Sequence, residues 1–182
     1  GEDKARSEAL LNEFTLQHLE PSITILRAPP VMGINADNFV SRAFSKRFLV
    51  GLDGYDPIMQ FLHEDDLTET IRICLANRTC SGIYNVTGDG IIRWSEVAEI
   101  LGRKIITMPV PVLYSLTNIT WNLRMQSDSP SCGLDFIRYP WTTIANKIKE
   151  KMDVQFRYSS KEACEAFARR DENLEQISKF HA

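Results

Sequence analysis

The sequence predicts an α/β fold built on a parallel sheet, and three observations carry that prediction. Short apolar runs with β-branched residues recur, as in Ile23-Thr24-Ile25-Leu26 and Ile83-Tyr84-Asn85-Val86. Stretches of helical period separate them. The resulting order is helix, strand, helix, strand, helix, strand, helix, the alternation expected of crossover units whose strands are covered on both faces.

Residues 4–19 read as a helix with Leu10, Leu11, Phe14 and Leu19 near one face, stopped by Glu20-Pro21. Residues 23–26 form the first strand. Ala28-Pro29-Pro30 must leave the sheet, because proline has no N–H to donate to a ladder. Residues 38–44 suit a short helix, and Leu49-Val50-Gly51 opens an irregular stretch rich in Gly, Asp and Pro. Residues 59–63 form a second strand. Asp65 or Asp66 then caps a helix reaching residue 76, with Leu67, Ile71, Cys74 and Leu75 inward.

Residues 83–86 make the third strand. A helix over 95–101 turns Val97, Ile100 and Leu101 inward and stops at Gly102. Residues 104–108 read as another strand. A helix over 112–123 follows, with Leu113, Leu116, Thr120 and Leu123 on one face. Residues 126–133 are polar and expected to be a mobile loop, and residues 143–152 are helical. Ser159-Ser160-Lys161-Glu162 is a capping box for a last helix containing Ala163, Cys164 and Phe167.

A chain of 182 residues can bury one good core. With 43% hydrophobic and 25% charged residues it is expected to be soluble and globular. The formal net charge of -3, without a basic stripe, argues against nucleic acid as a partner. No apolar run approaches the roughly 20 residues of a membrane-spanning helix. The start, Gly1-Glu2-Asp3-Lys4-Ala5-Arg6, lacks signal-peptide character. Cys74, Cys80, Cys132 and Cys164 show no C-x-x-C spacing, and His18, His63 and His181 lie far apart, which argues against a metal site. Cys74 and Cys164 fall on apolar helix faces and suit reduced, buried thiols, so a cytoplasmic location is expected.

Three segments then carry a resemblance. They are Ile23-Thr24-Ile25-Leu26-Arg27-Ala28-Pro29-Pro30-Val31-Met32-Gly33, Phe61-Leu62-His63-Glu64-Asp65-Asp66-Leu67, and Gly82-Ile83-Tyr84-Asn85-Val86-Thr87-Gly88. In this order they resemble the second half of an extended short-chain dehydrogenase/reductase, the NAD(P)-dependent sugar epimerase/dehydratase family, over roughly residues 4–167. The resemblance implies the C-terminal part of a Rossmann-like parallel sheet fold plus a small, mostly helical substrate-binding region. Residues 1–108 would be the remnant of the NAD(P)-binding domain with interleaved substrate-binding segments, 109–170 the C-terminal substrate-binding region, and 171–182 a frayed tail.

The resemblance also implies site residues. Lys4 would be the catalytic lysine of a Tyr-x-x-x-Lys pair, holding the nicotinamide ribose and lowering the tyrosine's pKa. The matching tyrosine would stand just ahead of Gly1. Ala28, Pro29 and Pro30 would pass beneath the cofactor. Val31, Asn38, Phe39, Met59, Phe61 and Arg138 would face substrate, Asn38 through the start of its helix and Arg138 through its charge. His63 reads as a packed strand-end histidine in preference to a catalytic one.

The sequence departs from the family pattern at several of these positions. Pro30 stands where some epimerases place an asparagine, and a proline side chain cannot hydrogen-bond a sugar hydroxyl. Met59 stands where nucleotide-sugar epimerases often carry an arginine, which removes a bidentate phosphate contact.

The expected function is therefore part of an NAD(P)-dependent epimerase, dehydratase or reductase acting on a sugar or related hydroxy/keto substrate. A non-catalytic binding or assembly protein on the same scaffold is the alternative. Lacking the Gly-rich phosphate loop and the tyrosine, the chain alone is expected to bind NAD or NADP poorly and to be inactive. Uncovered strand edges and apolar faces predict a homo-oligomer or an element-swapped dimer, with the first helix as its contact surface.

Overall fold

The computed structural model describes residues 2–18, 20, 22–77, 80–126 and 129–180, the last ten of these by backbone alone. Leu19 and Pro21, assigned above to the first helix and its stop, lie outside the described residues, as do His181 and Ala182.

The α/β reading holds. Helix α1 (Glu2–Gln17) leads into β1 (Thr24–Arg27), which pairs in parallel with β6 (Gly82–Asn85). The chain leaves β1 through Ala28, Pro29 and Pro30 and forms β2 (Val31–Met32), paired in parallel with β5 (Leu62–His63). After α2 (Phe39–Phe44) comes β3 (Phe48–Leu52), where the sequence reading placed an irregular stretch. It pairs in parallel with β8 (Lys104–Met108) over five residues, a non-local partner that the local Gly51 signal hides. The strand expected over 59–63 is split into β4 (Ile58–Met59) and β5, and β4 pairs antiparallel with β7 (Ile92–Arg93).

Helix α3 (Glu64–Ala76) is capped differently from the expectation. The His63 imidazole, through Nδ1, accepts from the Asp65 N–H at 3.2 Å. Asp66 is buried and reaches across the molecule, accepting from the backbone N–H groups of Arg157 and Tyr158 at 3.1 Å each. In α3 Asp66 and Thr70 face inward, while Ile71 and Leu75, expected inward, face out.

Helix α4 (Trp94–Ile100) buries Val97 and ends at Gly102, whose φ of +61° suits glycine. In α5 (Val110–Asn122) Leu113 is buried, whereas Leu116 and Leu123 are exposed. A 3-10 helix (Ser131–Ile137) begins inside the stretch expected as a loop. Helix α6 (Asn146–Met152) precedes α7 (Ser160–Phe180), whose backbone continues over most of the segment assigned to a tail. The predicted capping box is present: Glu162 Oε2 accepts from the Ser159 N–H at 2.7 Å, and Ser159 Oγ accepts from the Glu162 N–H at 3.2 Å.

Two apolar clusters make the core. One gathers Met32, Phe44, Met59, Phe61, Trp94 and Phe167. The other gathers Leu62, Tyr84, Val86, Ile148 and Val154. The segments that carry them cross at Gly88, where a Cβ would lie 2.8 Å from the Phe61 carbonyl oxygen and 2.9 Å from that of Tyr158. Ser160, fully buried, fastens the same crossing by accepting from the Phe61 N–H at 3.2 Å.

Candidate functional site

Two places gather the residues singled out from the sequence. The first is the C-terminal end of the parallel pair β1–β6, the edge at which open α/β sheets bind ligands. Strand β1 ends at Arg27, whose guanidinium donates through Nε to Glu8 Oε1 at 2.9 Å. This contact raises the Arg27 pKa and lowers that of Glu8, each through the hydrogen bond to the other. It fastens α1 to the strand end just before Ala28, Pro29 and Pro30. Lys4 lies four residues before Glu8 in α1, so the two share a helix face. Lys4 is exposed, as is Ala28, while Pro29 and Pro30 are half-buried.

The second place is a cavity of about 330 Å³ between α2, β3, Trp94 and the 3-10 helix. Phe39 and Met59, singled out from the sequence as facing substrate, line it. Phe61 does not; it is buried behind the wall, edge-on to Phe44 at 5.8 Å and to Trp141 at 5.4 Å between ring centroids. Asn38 does not line it either. Its Oδ1 accepts from the N–H groups of Val40 and Ser41, its Nδ2 donates to the Val31 carbonyl at 2.7 Å, and its own N–H goes to Ser41 Oγ. These bonds spend the Asn38 side chain on capping α2 and joining it to β2.

Arg138 stands outside the lining. Its guanidinium packs against the rings of Tyr139, Tyr114 and Tyr55 at 5.1, 5.6 and 5.7 Å. The Tyr114 and Tyr55 hydroxyls raise its pKa further. Tyr114 in turn donates to Asp135 Oδ1 at 2.6 Å, and burial together with that carboxylate raises the phenol's pKa. The cluster ties α5 to the 3-10 helix, which forms one wall of the cavity.

Sequence reasoning missed most of that wall. Phe48 and Val50 of β3, Trp94, Phe136 and Trp141 come from separate segments. The aromatic density over 136–141 was a visible signal, but its partner strand was not recognised. Both indoles in the wall are satisfied, Trp94 by the Val50 carbonyl at 3.2 Å and Trp141 by the Phe136 carbonyl at 2.9 Å. Arg42 and Lys46 are the charged members of the lining, and Asp37 accepts from Arg42 Nη1 at 3.0 Å. Among the described residues no cluster of three or more His, Cys, Asp or Glu could hold a metal, and no helix is long and apolar enough to cross a membrane.

Comparison with solved structures places the architecture. The UDP-glucose 4-epimerase of Thermus thermophilus, in complex with NAD, superposes with a TM-score of 0.67 at 16% identity, over 93% of this chain and 52% of that one. The UDP-glucose 4-epimerase of Bifidobacterium longum, with NAD+ and UDP, gives 0.64 at 12% identity, over 93% and 53%. The dTDP-glucose 4,6-dehydratase of Bacillus anthracis, with NAD, gives 0.54 at 16% identity, over 84% and 45%. The fold is the Rossmann-like α/β fold of these epimerases and this dehydratase.

The chain spans about half the length of each of these enzymes. No family model matches the sequence. Uncharacterized proteins of Mycobacterium bovis and Mycobacterium tuberculosis are each 32% identical over 91 residues, which is 50% of this chain and 23% of the relative.

Proposed function

We propose that this chain is the substrate-side portion of an NAD(P)-dependent epimerase, dehydratase or reductase acting on a sugar or related hydroxy/keto compound. The observation that carries the reading is the Glu8–Arg27 contact at the end of a parallel strand pair. It supports a position for Lys4 over the strand end, beside Ala28, Pro29 and Pro30, with the aromatic cavity as the pocket for the rest of the substrate.

In that position an exposed ammonium over the proline loop would suit the ribose hydroxyls of a nicotinamide dinucleotide. When bound, the nicotinamide supplies a hydride acceptor for a carbinol. Lys4 would orient the ribose and, as a nearby cation, favour the ionised form of the phenol that takes the carbinol proton. Ala28, Pro29 and Pro30 would form an apolar floor under the ring. Phe39 and Met59 would hold the non-reacting part of the substrate, and Val31, Asn38, Phe61 and Arg138 would shape and support that pocket.

The test is to express the complete reading frame, titrate NAD(P)H into the product, and compare it with Lys4→Met. Dinucleotide binding, and a turnover at least about 100-fold lower in the variant with its fold intact, is the expected result. Absence of binding, or an unchanged turnover, would overturn the reading. Sedimentation of the same product tests whether it forms a dimer.

A further inference from the structure

The geometry points to a substrate class for the cavity: an amphipathic molecule with an apolar, ring-containing body and one anionic group, in place of a nucleotide. This rests on the reading of the cavity as the substrate pocket. A nucleobase brings a polar edge that needs partners once water is excluded. The wall offers its edge little. The Trp94 and Trp141 N–H groups are already given to carbonyls. The Ser129 hydroxyl donates to the Pro130 carbonyl at 2.9 Å. The described lining contains no side-chain amide and no carboxylate. Each polar group left unpaired in such a site lowers affinity by roughly tenfold or more.

What the lining does offer is ring faces and positive charge. Phe39, Phe48, Val50 and Phe136 line the cavity yet remain 37–43% exposed, an apolar lip that a bound hydrophobic body would cover. Arg42 stands on the same lip, and Asp37 holds it through one nitrogen of its guanidinium. An anion at the end of an apolar body therefore meets complementary charge as the body enters. A volume of about 330 Å³ is at the small end of ligand pockets and suits a bicyclic or comparable body.

The test uses the purified chain and three probes. They are 1-anilinonaphthalene-8-sulfonate, the same ring system without the sulfonate (N-phenyl-1-naphthylamine), and UDP as a competitor. The expected result is a single fluorescent site for the sulfonate. Ala43→Trp, which fills the cavity, weakens it at least tenfold without changing the circular dichroism. Arg42→Gln weakens the sulfonate several-fold but not the neutral probe, and millimolar UDP displaces neither. Should Ala43→Trp fail to fold, Val50→Trp at the lip fills the mouth instead.

Displacement by UDP from a site that Ala43→Trp weakens would overturn the substrate class and leave the proposed function standing. Probe binding that neither filling variant alters would overturn the cavity as a substrate pocket altogether.

Discussion

Helices α1 and α7 both carry apolar side chains at helical spacing, and the structure treats them in opposite ways. In α7 Ala163, Cys164 and Phe167 are fully buried over β2 and β5. In α1 no residue is buried: Phe14 is 39% exposed and Leu16 89%. The difference lies in anchorage. The start of α7 is held by the Ser159–Glu162 box, by buried Ser160, and by Asp66 on the N–H groups of Arg157 and Tyr158 just ahead of it. Among the described residues, the side-chain hydrogen bonds that join α1 to the rest run from Arg27 to Glu8. An apolar stripe becomes core only where another surface is in place to receive it.

The largest effect that sharpens this contrast is expected from Phe167→Ala. It leaves a hole beside Phe44 and should cost about 3–5 kcal/mol by urea unfolding. Phe14→Ala should stay within about 0.5 kcal/mol. A comparable loss at Phe14 would break the contrast and mean that α1 is packed in solution.

Asp66→Ala strips the acceptor from two N–H groups ahead of α7 and should cost about 2–4 kcal/mol. Hydrogen exchange should rise over residues 157–162 before it rises elsewhere. Exchange that stays uniform would show that the α7 start is held without Asp66.

A smaller, pH-dependent effect comes from Cys164, whose burial pushes its thiol up to about 12. The unfolded thiol titrates near about 8.5, so above that pH the unfolded state sheds a proton that the folded state keeps. Stability is therefore full below about 8.5 and falls as pH rises toward 12, by about 1.4 kcal/mol per pH unit for this group. Cys74 is likewise pushed up to about 12, by burial and by Cys80. Cys164→Ala should remove one proton's share of the alkaline loss in unfolding titrations between about pH 9 and 11. An unchanged slope would mean the thiol is accessible in the native state.

The smallest effect is expected from Glu8→Gln. Arg27 is exposed and Glu8 only half-buried, and a pair so close to solvent adds little, so global stability should hardly move. Amide exchange in α1 should quicken while that in α7 does not. If α1 exchange is unaffected, the helix is held by something other than this pair.

The class of fold was legible because α/β crossovers write their period into a single chain. β1, β6, β8 and the α7 capping box are readable from residues close together in sequence. β3 was missed because Gly51 weakens its local signal and its partner, β8, lies more than fifty residues away. Asp66 reads locally as a helix cap because a carboxylate at a helix start has a use there, while its actual partners are ninety-one and ninety-two residues distant. Of the residues lining the cavity, Phe39 and Met59 are among those the sequence singles out. The rest of the cavity wall is not singled out, since it joins distant segments that share no motif.

By itself the sequence determined the α/β class and those helices and strands whose signals are local, because propensity, capping and apolar period act over a few residues. Tertiary structure alone decided which apolar faces are covered, where Asp66 and Arg138 spend their charge, and that distant rings enclose a cavity. Those outcomes depend on contacts between segments far apart in the chain, and no local pattern records them.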